Sequence, residues 1–201
     1  MKKLSLTSLI AVASLVASAA FAQNAKFTAS RTFEYDPGKT GLVTAYWDRN
    51  SGELDASGNT KFGLHVEKNG PTLTLNASGG AVLDGLKGVV VTASDSLAYD
   101  MKDNSGPPQD GPRFNVSYTL PDGTTGFSFV GGSNNATKTG GQESGWSRYT
   151  LMLSNPAQAY PVVPAGATLD SVVLIIDNQG IYNLDNIGFR NQVAGKPGSS
   201  N

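Results

Sequence analysis

Short runs that alternate apolar and polar residues, broken every few positions by turn chemistry, constrain this chain more than any other feature. In "RFNVSYTLPDGTTGFSFV", Phe114, Val116, Tyr118 and Leu120 alternate with Arg113, Asn115, Ser117 and Thr119. A period of two puts one set on each side of a strand. Asp122-Gly123 then turns the chain, and Phe127 and Phe129 are expected to resume the apolar face, giving a hairpin with one side buried. "KFGLHVE" places Phe62, Leu64 and Val66 opposite Gly63, His65 and Glu67, and "SRYTLML" places Tyr149, Leu151 and Leu153 opposite Arg148, Thr150 and Met152. "GVVVTA" and "SVVLIID" are continuous β-branched runs and read as central strands. Between them lie "DRNSGELDASGN", "DNSGPPQDGP" and "GGSNNATKTGGQESG", all loop chemistry. No stretch of a dozen residues carries a helical period, so the expectation is an all-β antiparallel sandwich of roughly eight to eleven strands.

Near the C-terminus, "IYNLDNIGF" breaks the alternation. Tyr182 and Leu184 share one parity, whereas Ile187 and Phe189 share the other. An unbroken strand cannot send all four to one core, but one extra residue at Asp185-Asn186 restores the phase, as a β-bulge does. A bulge there re-aims a carboxylate. Asp185 then either caps a neighbouring backbone N–H or binds a cation, since a buried carboxylate needs donors or a counter-charge.

The N-terminus reads as an export signal. Lys2 and Lys3 precede the apolar run Leu9 to Val16, and Ala20-Phe21-Ala22 supplies small residues for cleavage before Gln23. Residues 1–22 are thus expected to be removed, leaving 23–190 as a single β-sandwich domain and 191–201 as a polar tail. The segment holds two of the 15 basic residues and no acidic one, so 13 basic face 16 acidic residues in the mature chain, a net charge of −3. No basic run is present, which argues against nucleic acid and against a polybasic membrane surface. With no Cys and one His, zinc sites and cysteine nucleophiles are excluded.

The last third, "GWSRYTLML", "ATLDSVVLIID" and "GIYNLDNIGF", resembles the jelly-roll carbohydrate-binding modules and galactose-binding-like domains of exported bacterial proteins. "TFEYDPG" with "AYWD" downstream is similar to the opening strands of such modules, while "FGLHVEKNG" and "GPRFNV" look more like exported bacterial proteins of unassigned activity. In that family a structural calcium often ties the first strand to the last. The resemblance therefore implies a Ca2+ held by Asp185 with Glu34 and Asp36, a choice compatible with oxygen ligands alone.

For chemistry, a Ser-His-Asp hydrolase would have to use His65, which sits on the polar side of its strand with no Gly-x-Ser-x-Gly elbow in the chain. Glu67, Asp95, Asp100 and Glu143 are candidates for the paired carboxylates of glycoside hydrolysis, but any chain of this size supplies several such groups, and they fall mainly in turns. Asp48, Asn50 and Asp55 lack the spacing of a calcium loop. Sugar binding needs exposed rings with polar neighbours. Trp47 and Trp146 stand at strand ends beside loops, where each either stacks on a ligand or closes an end of the core, and Arg113, Asn115 and Arg148 fall on polar faces. The functional expectation is a non-catalytic, secreted glycan or polymer binder. An envelope or matrix protein without small ligand is the second reading, and a glycan-active hydrolase the third.

Overall fold

The computed structural model describes residues 27–49, 51–53, 62–70, 76–106, 111–132 and 134–194. The proposed signal segment 1–22, most of the loop from Asn50 to Thr60 and the end of the tail lie outside these. The described residues form thirteen strands: β1 Thr28–Tyr35, β2 Val43–Asp48, β3 Gly63–Lys68, β4 Ser78–Asp84, β5 Ser96–Lys102, β6 Arg113–Thr119, β7 Thr125–Gly131, β8 Thr137–Gly140, β9 Trp146–Met152, β10 Ala159–Tyr160, β11 Thr168–Ile176, β12 Gly180–Phe189 and β13 Gln192–Ala194. They make two antiparallel sheets. One runs β1-β4-β11-β6-β7-β10, and the other β2-β3-β12-β5-β9-β8 with β13 added to β12.

The alternation that defines the strands also fills the space between the sheets. Leu64, Val66, Leu97, Tyr99, Leu151, Tyr182 and Leu184 from one sheet meet Ala81, Leu83, Phe114, Val116, Val130 and Leu174 from the other, all buried. Tyr99 stacks on Tyr149 at 5.3 Å and donates its hydroxyl to the Pro112 carbonyl at 3.1 Å, so its polar end is satisfied inside the core.

The bulge is present in β12. Asp185 pairs with Asp100 but Gly188 with Ala98, so two residues, Asn186 and Ile187, oppose Tyr99 alone. Asn186 takes the left-handed backbone, φ 47°, and Tyr182, Leu184, Ile187 and Phe189 all reach the core. A second bulge lies in β11, where the register with β6 moves between Leu169 and Ser171 and brings Leu169 and Val172 to the same side.

Several expectations need correction. The count exceeds eleven because β8 forms within the glycine-rich loop and β13 within the expected tail, and Ala194 is buried. "GVVVTA" is not a central strand. Only Val90 makes a bridge, to Thr168, because Gly88 and the Thr92–Asp95 turn bound the segment tightly. Phe127 and Phe129 do not join the core. The β6–β7 connection closes on Thr119 and Thr125, which pairs Phe114 with Val130 and Val116 with Ser128 and turns both Phe rings outward.

Candidate functional site

That register builds a groove on the outer face of the six-stranded sheet. Ladder partners place Phe33, Gly80, Ile175 and Arg113 in one row across β1, β4, β11 and β6. Val173, Asn115, Phe129 and Tyr160 form the next row, with Ser171, Ser117 and Phe127 beside it. Position 80 requires glycine, since a Cβ there would lie 1.9 Å from the Leu174 carbonyl oxygen, and its row has no side chain between Phe33 and Ile175. The hollow has a volume of about 580 Å3, lined by Phe33, Tyr35 and Phe127 together with Ser78, Asn115, Ser117 and Asp177 among others.

Its rings are open to solvent. Tyr35 is 55 % exposed and Phe127 43 %, and Phe129 (48 %) and Tyr160 (80 %) extend the aromatic face toward the β10 edge. Phe127 and Phe129 meet edge to face at 4.9 Å, and the Arg113 guanidinium lies over Phe129 at 5.4 Å while its Nη1 pairs with Asp177 at 2.6 Å. Asn115 Oδ1 is buried and has no hydrogen-bond partner among the described residues, the kind of acceptor a bound hydroxyl satisfies.

Of the five residues expected to bind ligand, the structure brings Arg113 and Asn115 together in this groove. The other three lie elsewhere. Trp146 is 6 % exposed, so it presents no stacking face. Trp47 is half-buried against the core, its indole N–H donating to the Ala29 carbonyl at 3.0 Å, which ties the β2 edge of one sheet to β1 of the other. Arg148 is on the opposite sheet, donating from Nη1 to Asp100 at 2.8 Å and to the Asn186 carbonyl at 3.0 Å. Large rings beside glycine-rich loops filled the core, as most aromatics do. Sequence alternation puts Phe127 and Phe129 in the core and does not single out Tyr35, whereas the structure exposes all three.

The three carboxylates expected to hold calcium do not converge. Glu34 accepts from the Ala45 N–H at 2.8 Å, blunting the β2 edge. Asp36 accepts from Thr40 Oγ1 and the Gly41 N–H within its own turn, and the Thr40 backbone N–H above all, with these two, holds its carboxyl below the usual range. Asp185 is buried in the other sheet, accepting from the backbone N–H groups of Glu53 at 2.8 Å and Asn186 at 2.7 Å. This set does not fit a shared ion. Asp185 acts as the backbone cap.

Around it lies a buried polar cluster of Glu53, Asp100, Asp185 and Asn186. The Asn186 amide donates to Asp100 Oδ2 at 2.9 Å and to Glu53 Oε2 at 3.1 Å, and Glu53 Oε1 accepts from the Glu143 N–H. Burial, followed by the hydrogen bond to the Asp100 carboxyl, pushes Glu53 up from 4.5 to about 7. Arg148 supplies the positive charge and the amide donors the rest, so the cluster is a pin for the bulge. His65 faces outward from β3, its Nδ1 3.0 Å from Asn183 Oδ1 and its ring against Tyr46.

No protein-family model matches the chain, and no curated protein matches it. Among solved structures it is similar to carbohydrate-binding-module β-sandwiches. One is a structure described for the promiscuous specificity of carbohydrate-binding modules from the β-sandwich superfamily, with TM-score 0.42 and 16 % identity over 84 % of this chain and 58 % of that one. The chain thus spans less than two thirds of that protein's length. A second is a family 22 xylan-binding domain from Paenibacillus barcinonensis, with TM-score 0.38 and 17 % identity over 81 % of this chain and 96 % of that one. A third is a family 22 module from Clostridium thermocellum, with TM-score 0.36 and 16 % identity over 83 % and 95 % of the two chains.

Proposed function

We propose that the chain is an exported, non-catalytic β-sandwich that binds a glycan along the outer face of its six-stranded sheet. The observation that carries this reading is the groove itself, with exposed Tyr35 and Phe127 set beside hydrogen-bonding Asn115, Ser117 and Asp177. Apolar ring faces suit the C–H faces of a pyranose, and polar neighbours suit its hydroxyls. Strands lie about 4.8 Å apart, so the face from β1 to β10 spans roughly 24 Å, enough for several sugar units. Export rests on the N-terminal sequence.

A hydrolase needs two carboxyl groups flanking the bond to be cleaved. Among the described residues the groove lining has one, Asp177, which favours binding over cleavage. The test is a polysaccharide pull-down and glycan array with the purified protein and with Phe127→Ala. Retention by one or more polysaccharides, lost in Phe127→Ala, supports the reading. Binding to no glycan, or binding indifferent to Phe127, sinks it.

A further inference from the structure

The charge on the groove is unevenly distributed. Among the described residues its charged lining is Lys68, Arg113 and Asp177, two cations and one anion, and all three lie at one end, where the last residue of β3 and the first of β6 reach the residue that follows β11. Lys68 shares its parity with Leu64 and Val66, so it points between the sheets, is 1 % exposed, and donates Nζ to the Asp177 backbone carbonyl at 2.7 Å. The Asp177 carboxylate meanwhile pairs with Arg113 at 2.6 Å. Among the described lining residues one carboxylate therefore faces two cations, paired directly with the guanidinium and attracting the buried ammonium.

An ammonium removed from water is costly unless negative charge stands nearby. Burial lowers the Lys68 pKa, and the attraction of Asp177 works against that. A neutral sugar entering this end would displace water from the partly exposed Arg113 guanidinium without supplying a counter-charge for it or for the buried ammonium. A carboxylate would supply it, and guanidinium and ammonium donors both form their stronger hydrogen bonds with an ionised acceptor. The aromatic side chains flanking this end, Phe33 and Tyr35, would hold the ring that carries the acid.

We propose that the groove prefers an acidic glycan, seating the carboxylate of a uronate residue against Arg113, with the buried Lys68 ammonium adding to the positive charge there. This rests on the groove being the glycan site. The experiment is calorimetric titration of the full protein with matched pairs, namely oligogalacturonate, oligomannuronate and glucuronoxylan fragments, each against the same saccharide after its carboxyls are reduced to alcohols. In every pair that binds, the acidic member should bind at least about tenfold tighter, the scale of one charge-assisted hydrogen bond. The preference should shrink as salt is raised. Arg113→Gln should abolish it, bringing the acidic and neutral members of each pair to within about twofold of one another. Equal or tighter binding of the neutral members, or a preference that survives Arg113→Gln, overturns the acidic specificity but leaves the groove as a glycan site. Binding of no member overturns the acidic specificity, and the glycan reading falls with it only if the glycan array also shows no binding.

Discussion

A carboxyl buried against a second carboxyl keeps its proton to higher pH than it would in the unfolded chain, and Glu53 beside Asp100 is such a group. Folded Glu53 titrates at about 7 against 4.5 unfolded, with burial as the main cause. The native state then binds more protons across that window, so stability is greatest below about pH 4.5 and declines as pH rises through 7. Glu53→Gln, which keeps the shape and removes the titration, should flatten the fall in melting temperature between pH 5 and 8. A wild-type melting temperature that rises steadily over that range would contradict the assignment. Asp95 behaves in the opposite sense. Burial works against its charge, but hydrogen bonds from Arg190 and Thr92 outweigh it and hold its pKa below 3.8. Its contribution is present above about pH 4 and lost as pH falls further. The two groups together predict a stability maximum in mildly acid solution, which a thermal-melt series from pH 3 to 9 would measure. Asp185 belongs at this scale too: with both its oxygens on backbone N–H groups, melting temperature should not change on chelation.

At the level of the strand, β12 shows what a sequence can and cannot disclose. The parity break between Leu184 and Ile187 was legible because four large apolar residues had to share one core, and the register shift lies where that argument put it. The same signal in β11, Leu169 against Val172, was equally present and marks a second bulge, again at a Leu-Asp step. What Asp185 would meet was not legible, since Glu53 is 132 positions away and arrives from a loop with no pattern of its own. The hairpin gives the reverse lesson. Both strands were evident, yet the facing of Phe127 and Phe129 depends on how many residues close the turn, and apolar residues on an outer face look like core in a single sequence. Asn186 offers a test of the bulge. Its left-handed backbone disfavours a branched side chain, and its amide separates two carboxyl groups. Asn186→Val should lose about 2 kcal/mol or more, from strain plus lost hydrogen bonds. Asn186→Gly keeps the turn and loses only the amide, so it should melt higher than the valine variant. Equal melting of the two would mean that backbone strain plays no part.

Across the whole molecule, recognition and stability are assigned to different sides of the same strands. Odd-numbered side chains of β6 and β7 line or flank the groove and even-numbered ones fill the core, so each function can be removed without the other. Phe127→Ala takes away an exposed ring and should change stability by less than about 0.5 kcal/mol, as surface substitutions usually do. It should nonetheless abolish retention on the glycan, since stacked aromatic anchors carry much of such binding energy. Trp146 predicts the mirror image. Truncating a buried aromatic to alanine costs about 3–5 kcal/mol, roughly 6–20 °C of melting temperature for a domain of this size. Because Trp146 lies on the other sheet, the folded fraction of Trp146→Ala should bind with unchanged affinity. A saturating glycan present at a hundred times its dissociation constant would stabilise the native state by about 2.7 kcal/mol. It should therefore raise the melting temperature of wild type and of Trp146→Ala by several degrees, and leave Phe127→Ala where it was. If Trp146→Ala loses that ligand-induced rise while Phe127→Ala keeps it, the binding face is on the seven-stranded sheet and the groove is not the site.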